Sequence, residues 1–180
     1  ASDPFAGGRL LPAGRLREPL ASMARAHAAI LTGASGSPGE GNLLAEALRP
    51  YGFSGPGFAS VTRSGEARLA DGTPLSPGTR VFLVSAIGRP ESFAATVRGL
   101  GLDIVGELRF PDHHRYPAAS LARIEDAWKA SGAAAVLTTT KDRVKLHGRL
   151  ALPLAELPIR AEPEPAFWDW LDGEVGRVRG

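Results

Sequence analysis

The second half of the chain alternates short apolar runs with longer stretches of helical spacing. Residues 81–86 form a continuous apolar run, which is typical of a strand buried on both faces of a parallel sheet. The pattern predicts further helices and strands over 90–100, 103–108, 118–131, 134–138, 151–159 and 165–176. This order predicts an α/β fold with a small, mainly parallel sheet flanked by helices and joined by right-handed crossovers.

The first half is less regular and contains more glycine and proline. A short apolar run over 28–31 predicts a strand, and 42–48 predicts a helix that ends before Pro50. Residues 51–77 are rich in Gly, Ser and Thr and predict a β-hairpin with its turn at Asp71-Gly72. We therefore expect an irregular or β-hairpin linker region to precede the sheet.

The amino-acid composition excludes several classes of protein and of functional site. The 180 residues have a near-average apolar fraction of 43% and contain no cysteine, which excludes disulfides and thiolate metal sites. No stretch of 18 apolar residues occurs, so we expect no membrane segment in this chain. The net charge is only +2, and the basic residues form no stripe with interleaved aromatics. We therefore expect no nucleic-acid partner.

Polar side chains follow three of the predicted strands, in the loops 85–88, 111–114 and 138–142. The carboxyl ends of parallel strands are where open α/β sheets bind ligands. Asp112 and His113 could form a general base, a proton shuttle or a metal site, or simply lie in a surface loop. Lys141-Asp142 could belong to the same site or be a charge pair at a helix start. The sequence leaves these alternatives open.

Phosphate binding has fewer candidates. A P-loop needs G-x-x-x-x-G-K-[ST], and none of the three lysines follows a glycine. The glycine-rich segment 33–41 has no lysine at all. Arg17-Glu18 is a charge pair whose arginine could hold a phosphate, or an exposed ion pair of little energetic consequence.

Four blocks of sequence resemble the tetraacyldisaccharide 4'-kinases, the lipid A 4'-kinases of Gram-negative bacteria. The blocks are GRLLPAGRLREPL (8–20), SAIGRPESFAATVRGLGL (85–102), FPDHHRYP (110–117) and LTTTKDRVKL (137–146). The ending LPIRAEPEPAFWDWL is also similar to that family's. The blocks occur in the family's order and cover most of the chain, which makes the resemblance specific.

The resemblance implies the C-terminal half of a P-loop kinase that uses ATP and Mg²⁺. Such kinases phosphorylate the 4'-hydroxyl of tetraacyldisaccharide-1-phosphate at the cytoplasmic face of the inner membrane. Residues 1–50 would then be the tail end of the P-loop kinase domain, 51–80 a linker, and 81–180 the C-terminal α/β domain. ATP and Mg²⁺ would both need the P-loop half as a partner. We expect this chain alone to be inactive, since it has no Walker A loop.

The resemblance also assigns residues. Arg17 and Glu18 match the family's Arg-Glu beside the nucleotide, and His113 matches the histidine that supports the catalytic aspartate. Chemistry suggests that Asp112 orients the imidazole of His113. Two alternatives from other classes remain: a non-catalytic α/β module that binds an anion or a partner, and a manganese-dependent phosphoesterase of DHH type. The latter needs several further aspartates as metal ligands.

Overall fold

The computed structural model describes residues 5–14 and 16–179. The chain divides into two compact units, one comprising Ala1–Arg63 with Ala161–Gly180, the other Ser64–Arg160. The strands are β1 (Ala29–Ala34), β2 (Gly57–Ser64), β3 (Arg68–Leu69), β4 (Arg80–Ser85), β5 (Asp103–Arg109), β6 (Ala135–Thr139), β7 (Leu154–Leu157) and β8 (Ile159–Pro163). The helices are α1 (Glu40–Leu48), α2 (Pro90–Gly99), α3 (Ala118–Ser131), α4 (Thr140–Leu146) and α5 (Pro165–Arg179). The sequence-based boundaries at 50 and 80 differ from this division, which places α5 with the first unit.

The first unit contains a three-stranded sheet in the order β1-β2-β8. β1 and β2 are parallel, with Ala29 opposite Gly57, and α1 connects them as a crossover helix. The α1–β2 contact is close: a Cβ added to Gly57 would lie 2.1 Å from the carbonyl oxygen of Gly41. Two glycines therefore allow the backbones of helix and strand to approach each other.

The predicted hairpin over 51–77 is wrong in most of its length. The first four residues of β2 are buried, and this strand pairs in parallel with β1, because helix α1 returns the chain to the same sheet. Only residues 67–75 turn back on themselves. There the Leu69 amide donates to the Thr73 carbonyl at 2.8 Å, and the Asp71 carboxylate accepts from the Thr73 amide at 2.9 Å. The turn at Asp71-Gly72 is therefore confirmed.

The second unit contains a mixed five-stranded sheet in the order β3-β7-β6-β4-β5. β5, β4, β6 and β7 pair in parallel, and β3 pairs antiparallel with β7. Side chains of β4 alternate between two hydrophobic clusters: Val81 and Leu83 pack in one, Phe82 and Val84 in the other. Both faces of the strand are buried, which explains its continuous apolar sequence. The α/β class is confirmed.

Three loops leave the carboxyl ends of β4, β5 and β6 because these strands are parallel neighbours. The loop after β6 is very short, since Thr139 caps α4 with its hydroxyl by accepting from the Asp142 amide at 3.2 Å. Within the described residues, no helix combines the length and the apolar composition needed to span a bilayer.

Candidate functional site at the carboxyl edge of the sheet

The loop after β5, residues 110–117, has an unusual backbone. His113 has a φ of 63° and Tyr116 a φ of 52°; among residues 5–14 and 16–179, these are the two non-glycine residues with positive φ. The left-handed region is unfavourable for such side chains, and bulky residues persist there only when their surroundings impose it. Strain of this kind concentrates at functional loops, so the loop is a candidate site on its geometry alone.

Asp112 is held in place by the start of α4. Lys141 Nζ donates to its Oδ1 at 2.9 Å, and the His113 amide donates to the same oxygen at 3.0 Å. The hydrogen bond from Lys141, helped by the nearby His113, lowers the pKa of Asp112 below its ordinary value, so its carboxylate is ionised near neutral pH. The second oxygen, Oδ2, lies 3.6 Å from His113 Nε2. The Asp112 carboxylate and the His113 imidazole therefore lie side by side.

The two adjacent histidines have different surroundings. The His113 side chain is 79% exposed and accessible to a ligand. His114 is half-buried, with its ring stacked on Phe110 at 4.7 Å and its Nε2 2.8 Å from the Ser120 hydroxyl. His114 thus anchors the loop, and His113 is the histidine available for chemistry.

Lys141 and Asp142 have separate partners. Asp142 is completely buried; its Oδ2 accepts from the Ala86 amide at 2.8 Å and from the Thr139 hydroxyl at 3.1 Å. Its Oδ1 accepts from Lys145 Nζ at 3.1 Å. The carboxylate thus joins the ends of β4 and β6 to helix α4. Sequence reasoning left the roles of Lys141 and Asp142 open and tested Lys145 only as a P-loop lysine, a role that it excluded.

Tyr116 is the second residue that sequence reasoning missed. Its side chain is fully buried, and burial raises its pKa above the ordinary value of 10.0, with a further contribution from the Asp142 carboxylate. The hydroxyl is buried yet satisfies hydrogen-bond geometry with no other described residue. Lys145 Nζ lies 5.8 Å from the ring centroid, and an Arg149 N–H donates to the Tyr116 carbonyl at 2.8 Å. No pattern in the loop sequence distinguished this tyrosine from an exposed one.

Arg17 and Glu18 lie in the first unit, and their predicted mutual charge pair does not form. The Glu18 carboxylate instead pairs with Arg25, at the end of a short 3-10 turn, and both side chains are largely exposed. Arg17 is exposed and makes no hydrogen bond or ion pair with the residues that the structure describes. Its guanidinium is therefore available for an external anion.

The described residues do not form a metal centre of their own. Among residues 5–14 and 16–179, no group of three or more His, Asp or Glu side chains is arranged to hold a metal ion. The site therefore gives no support to a two-metal phosphoesterase, and Mg²⁺ does not fit these residues as a complete ligand set.

The fold and the site define an α/β protein with its polar groups at the carboxyl edge of a mainly buried sheet, the place where such folds bind ligands. The sequence model of the family Tetraacyldisaccharide-1-P 4'-kinase, LpxK, matches residues 1–176. The chain belongs to this family. The resemblance inferred from the four sequence blocks is thereby confirmed.

Relatives and a solved structure agree with this assignment. The tetraacyldisaccharide 4'-kinase of Anaeromyxobacter sp. (strain Fw109-5) is 38% identical over 154 residues, covering 81% of this chain and 40% of that protein. That of Dechloromonas aromatica is 38% identical over 176 residues, covering 96% and 47%. The crystal structure of LpxK from Aquifex aeolicus in complex with ATP is similar with a TM-score of 0.56 at 22% identity, covering 96% of this chain and 49% of that one. This likeness supports the fold, and the chain spans about half the length of the curated relatives it matches.

Proposed function

We propose that the protein transfers the γ-phosphoryl group of ATP to the 4'-hydroxyl of tetraacyldisaccharide-1-phosphate, a step of lipid A biosynthesis. The observation that carries this proposal is the family match over residues 1–176, which includes the strained loop with Asp112 and His113. The Aquifex aeolicus relative, crystallised with ATP, supports the choice of phosphoryl donor. A non-catalytic anion-binding module is the alternative that the experiment below must exclude.

We propose that the chain supplies the C-terminal portion of the kinase. It spans about half the length of its relatives and contains no G-x-x-x-x-G-K-[ST] sequence. The phosphates of ATP and the Mg²⁺ would then be bound chiefly by residues outside these 180, and the chain alone would be inactive. Mg²⁺ would supply neutralisation of the phosphate charge. We place the enzyme at the cytoplasmic face of the inner membrane, where its lipid substrate is anchored.

The site residues have separate proposed roles. His113 is exposed beside the ionised Asp112, and it would support the base that removes the proton from the acceptor hydroxyl. Arg17 has an uncommitted guanidinium, which would stabilise negative charge on the transferred phosphoryl group. Glu18 would lie on the nucleotide side, with its carboxylate held by Arg25.

A chimeric kinase tests the proposal. These 180 residues replace the matching part of the Anaeromyxobacter kinase, and transfer of labelled γ-phosphate from Mg-ATP to tetraacyldisaccharide-1-phosphate is measured. We expect activity in the chimera and none in the chain alone. We expect His113→Ala and Arg17→Met each to lower kcat by about 100-fold.

The matched controls are His147→Ala and Arg98→Met, which change exposed side chains of the same types. They should retain the activity of the parent chimera. An active chimera in which His113→Ala and Arg17→Met behave like these controls would refute the proposed roles. A folded but inactive chimera, beside an active parent kinase, would favour the non-catalytic alternative.

A further inference from the structure

We propose that Asp142 is a positioning residue that fixes the loop 110–117, and with it His113, for phosphoryl transfer. This inference rests on the proposed function, because it assigns His113 to the reaction. Asp142 lies on a different element from His113, and it would act through Tyr116 and Lys145 rather than by contact with a substrate.

The first step is the burial of the Asp142 carboxylate. With no exposed surface, an ionised carboxylate is costly unless several donors satisfy it. Asp142 has three: the Ala86 amide, the Thr139 hydroxyl and the Lys145 ammonium, all within 3.1 Å. The Ala86 amide follows β4, whereas Thr139 and Lys145 flank Asp142 in the contiguous segment that ends β6 and forms α4. The carboxylate therefore fixes these two segments relative to one another.

The second step connects this carboxylate to the loop. Tyr116 packs its buried ring beside Lys145, whose Nζ lies 5.8 Å from the ring centroid while it binds Asp142. Arg149 donates to the carbonyl of Tyr116 at 2.8 Å and to that of Lys145 at 3.1 Å. Tyr116 also adopts a positive φ that its surroundings must impose. The Lys145 ammonium, held by Asp142, is one of the neighbours of the ring, beside the rings of Phe110 and His114.

The third step is the position of His113 between two attachments. Lys141 binds Asp112 on one side of it, and the Asp142–Lys145 pair holds Tyr116 on the other. Both attachments begin from neighbouring residues at the start of α4. His113 has a positive φ of its own and a largely exposed side chain, so few other contacts determine where its imidazole lies. Loss of the Asp142 charge should release Lys145 and allow this loop to shift.

A purely structural role would be to cap α4. Thr139 already accepts from the Asp142 amide, so the helix start keeps its cap when the carboxylate is neutralised. Asp142→Asn keeps an oxygen that can accept from the Ala86 amide but removes the charge that binds Lys145. The variant therefore separates positioning of the loop from capping of the helix.

The test uses Asp142→Asn with Asp103→Asn, an exposed aspartate at the start of β5, as the matched control. Two-dimensional amide NMR of the 180-residue chain reports the loop without any kinase activity. The same variants in the chimera give kcat and the KM for ATP. We expect the amides of residues 112–116 to shift or broaden in Asp142→Asn. We expect its kcat to fall by about 10- to 100-fold with KM for ATP within about two-fold, since a displacement near 1 Å is enough for such a loss.

Two results would overturn the proposal: loop amides unchanged in a folded Asp142→Asn chain, or an unchanged kcat in the chimera. If Asp142→Asn does not fold, Lys145→Gln removes the same ion pair at a partly exposed position and must give the same loop shift and kcat loss. Failure of the proposed function is distinguishable, because the chimera would then be inactive before any substitution, while Asp142→Asn would still move the loop amides of the 180-residue chain.

Discussion

The hydroxyl of Tyr116 allows a sharp test of the site's energetics through Tyr116→Phe. The group is fully buried and no partner meets hydrogen-bond geometry, so its interaction with the nearby Asp142 carboxylate offsets only part of its desolvation. A buried polar group without a partner costs about 1–3 kcal/mol. Its removal leaves a gap of roughly 10–15 Å³, which costs about 0.3 kcal/mol at ~24 cal/mol per Å³. The first effect is larger, so Tyr116→Phe should stabilise the second unit by about 1–2 kcal/mol.

Hydrogen exchange at the amides of β4 and β6 measures this free energy, because these buried strands open last. The control is Tyr51→Phe, which removes the hydroxyl of the chain's other tyrosine, a partly exposed side chain in the first unit. Tyr51→Phe should leave the exchange of β4 and β6 unchanged. If Tyr116→Phe instead lowered the free energy of unfolding by 1 kcal/mol or more, the hydroxyl would be hydrogen-bonded in solution, because one such bond contributes about that much.

Tyr116→Phe should also change how the stability of the protein depends on pH in the alkaline range. Burial, helped by Asp142, raises the pKa of folded Tyr116 above 10.0. The protonated hydroxyl therefore contributes its full share to the free energy of unfolding at pH values below the pKa of the unfolded tyrosine. This contribution is lost as the pH rises towards the pKa of the folded tyrosine. Urea unfolding at pH 8 and pH 11 should show the advantage of Tyr116→Phe growing by up to about 1.4 kcal/mol per pH unit above pH 10. A constant difference would mean that the hydroxyl reaches solvent.

Two further predictions concern Lys141 and the glycine contact. In Lys141→Met, the pKa of Asp112 should rise towards its ordinary value of 3.8, measured by carboxyl-carbon NMR against Lys129→Met. The lowered pKa of Asp112 stabilises the folded state only at pH values above the pKa that Asp112 has in the unfolded chain. Any loss of stability in Lys141→Met should therefore disappear in acid. An unchanged Asp112 pKa would refute the ion pair between Lys141 and Asp112. Gly41→Ala places a Cβ 2.6 Å from the Gly57 carbonyl oxygen, which should outweigh the helix propensity gained and destabilise the first unit by about 1–3 kcal/mol. The control is Gly173→Ala, at a position of helix α5 with open space around it, which should instead stabilise the first unit by up to about 1 kcal/mol. Urea unfolding measures both variants. If it ranks them in the opposite order, the close contact between Gly41 and Gly57 is refuted.

The second unit was the more predictable part of the fold. β4, α2, β5, α3 and β6 lie within one residue of the ranges predicted from hydrophobic spacing, because each packs a regular apolar face or run against the same sheet. The sequence could not reveal that β2 joins β1. Gly57 and Phe58 carry no alternating pattern, and the parallel pairing depends on the close approach of α1 through Gly41.

The candidate site was predictable only where its residues are exposed. Asp112 and His113 could be identified as candidates from the sequence, because an adjacent carboxylate and imidazole can take part in proton transfer. Tyr116 and Lys145 do not, because their importance comes from burial and from contacts across elements. Glu18 was paired with the wrong arginine, since adjacency in sequence does not determine which side chains meet in space.

The Lys141-Asp142 dipeptide shows the physical reason for this limit. In the sequence alone, two adjacent opposite charges look like partners for each other. Here both lie in the first turn of α4, where successive side chains point about 100° apart. Lys141 therefore reaches outward to Asp112, while Asp142 turns into the sheet edge and pairs with Lys145, three residues further on. One short helix thus directs two neighbouring charges to opposite ends of the His113 loop, an arrangement that a change of helical phase by one residue would destroy.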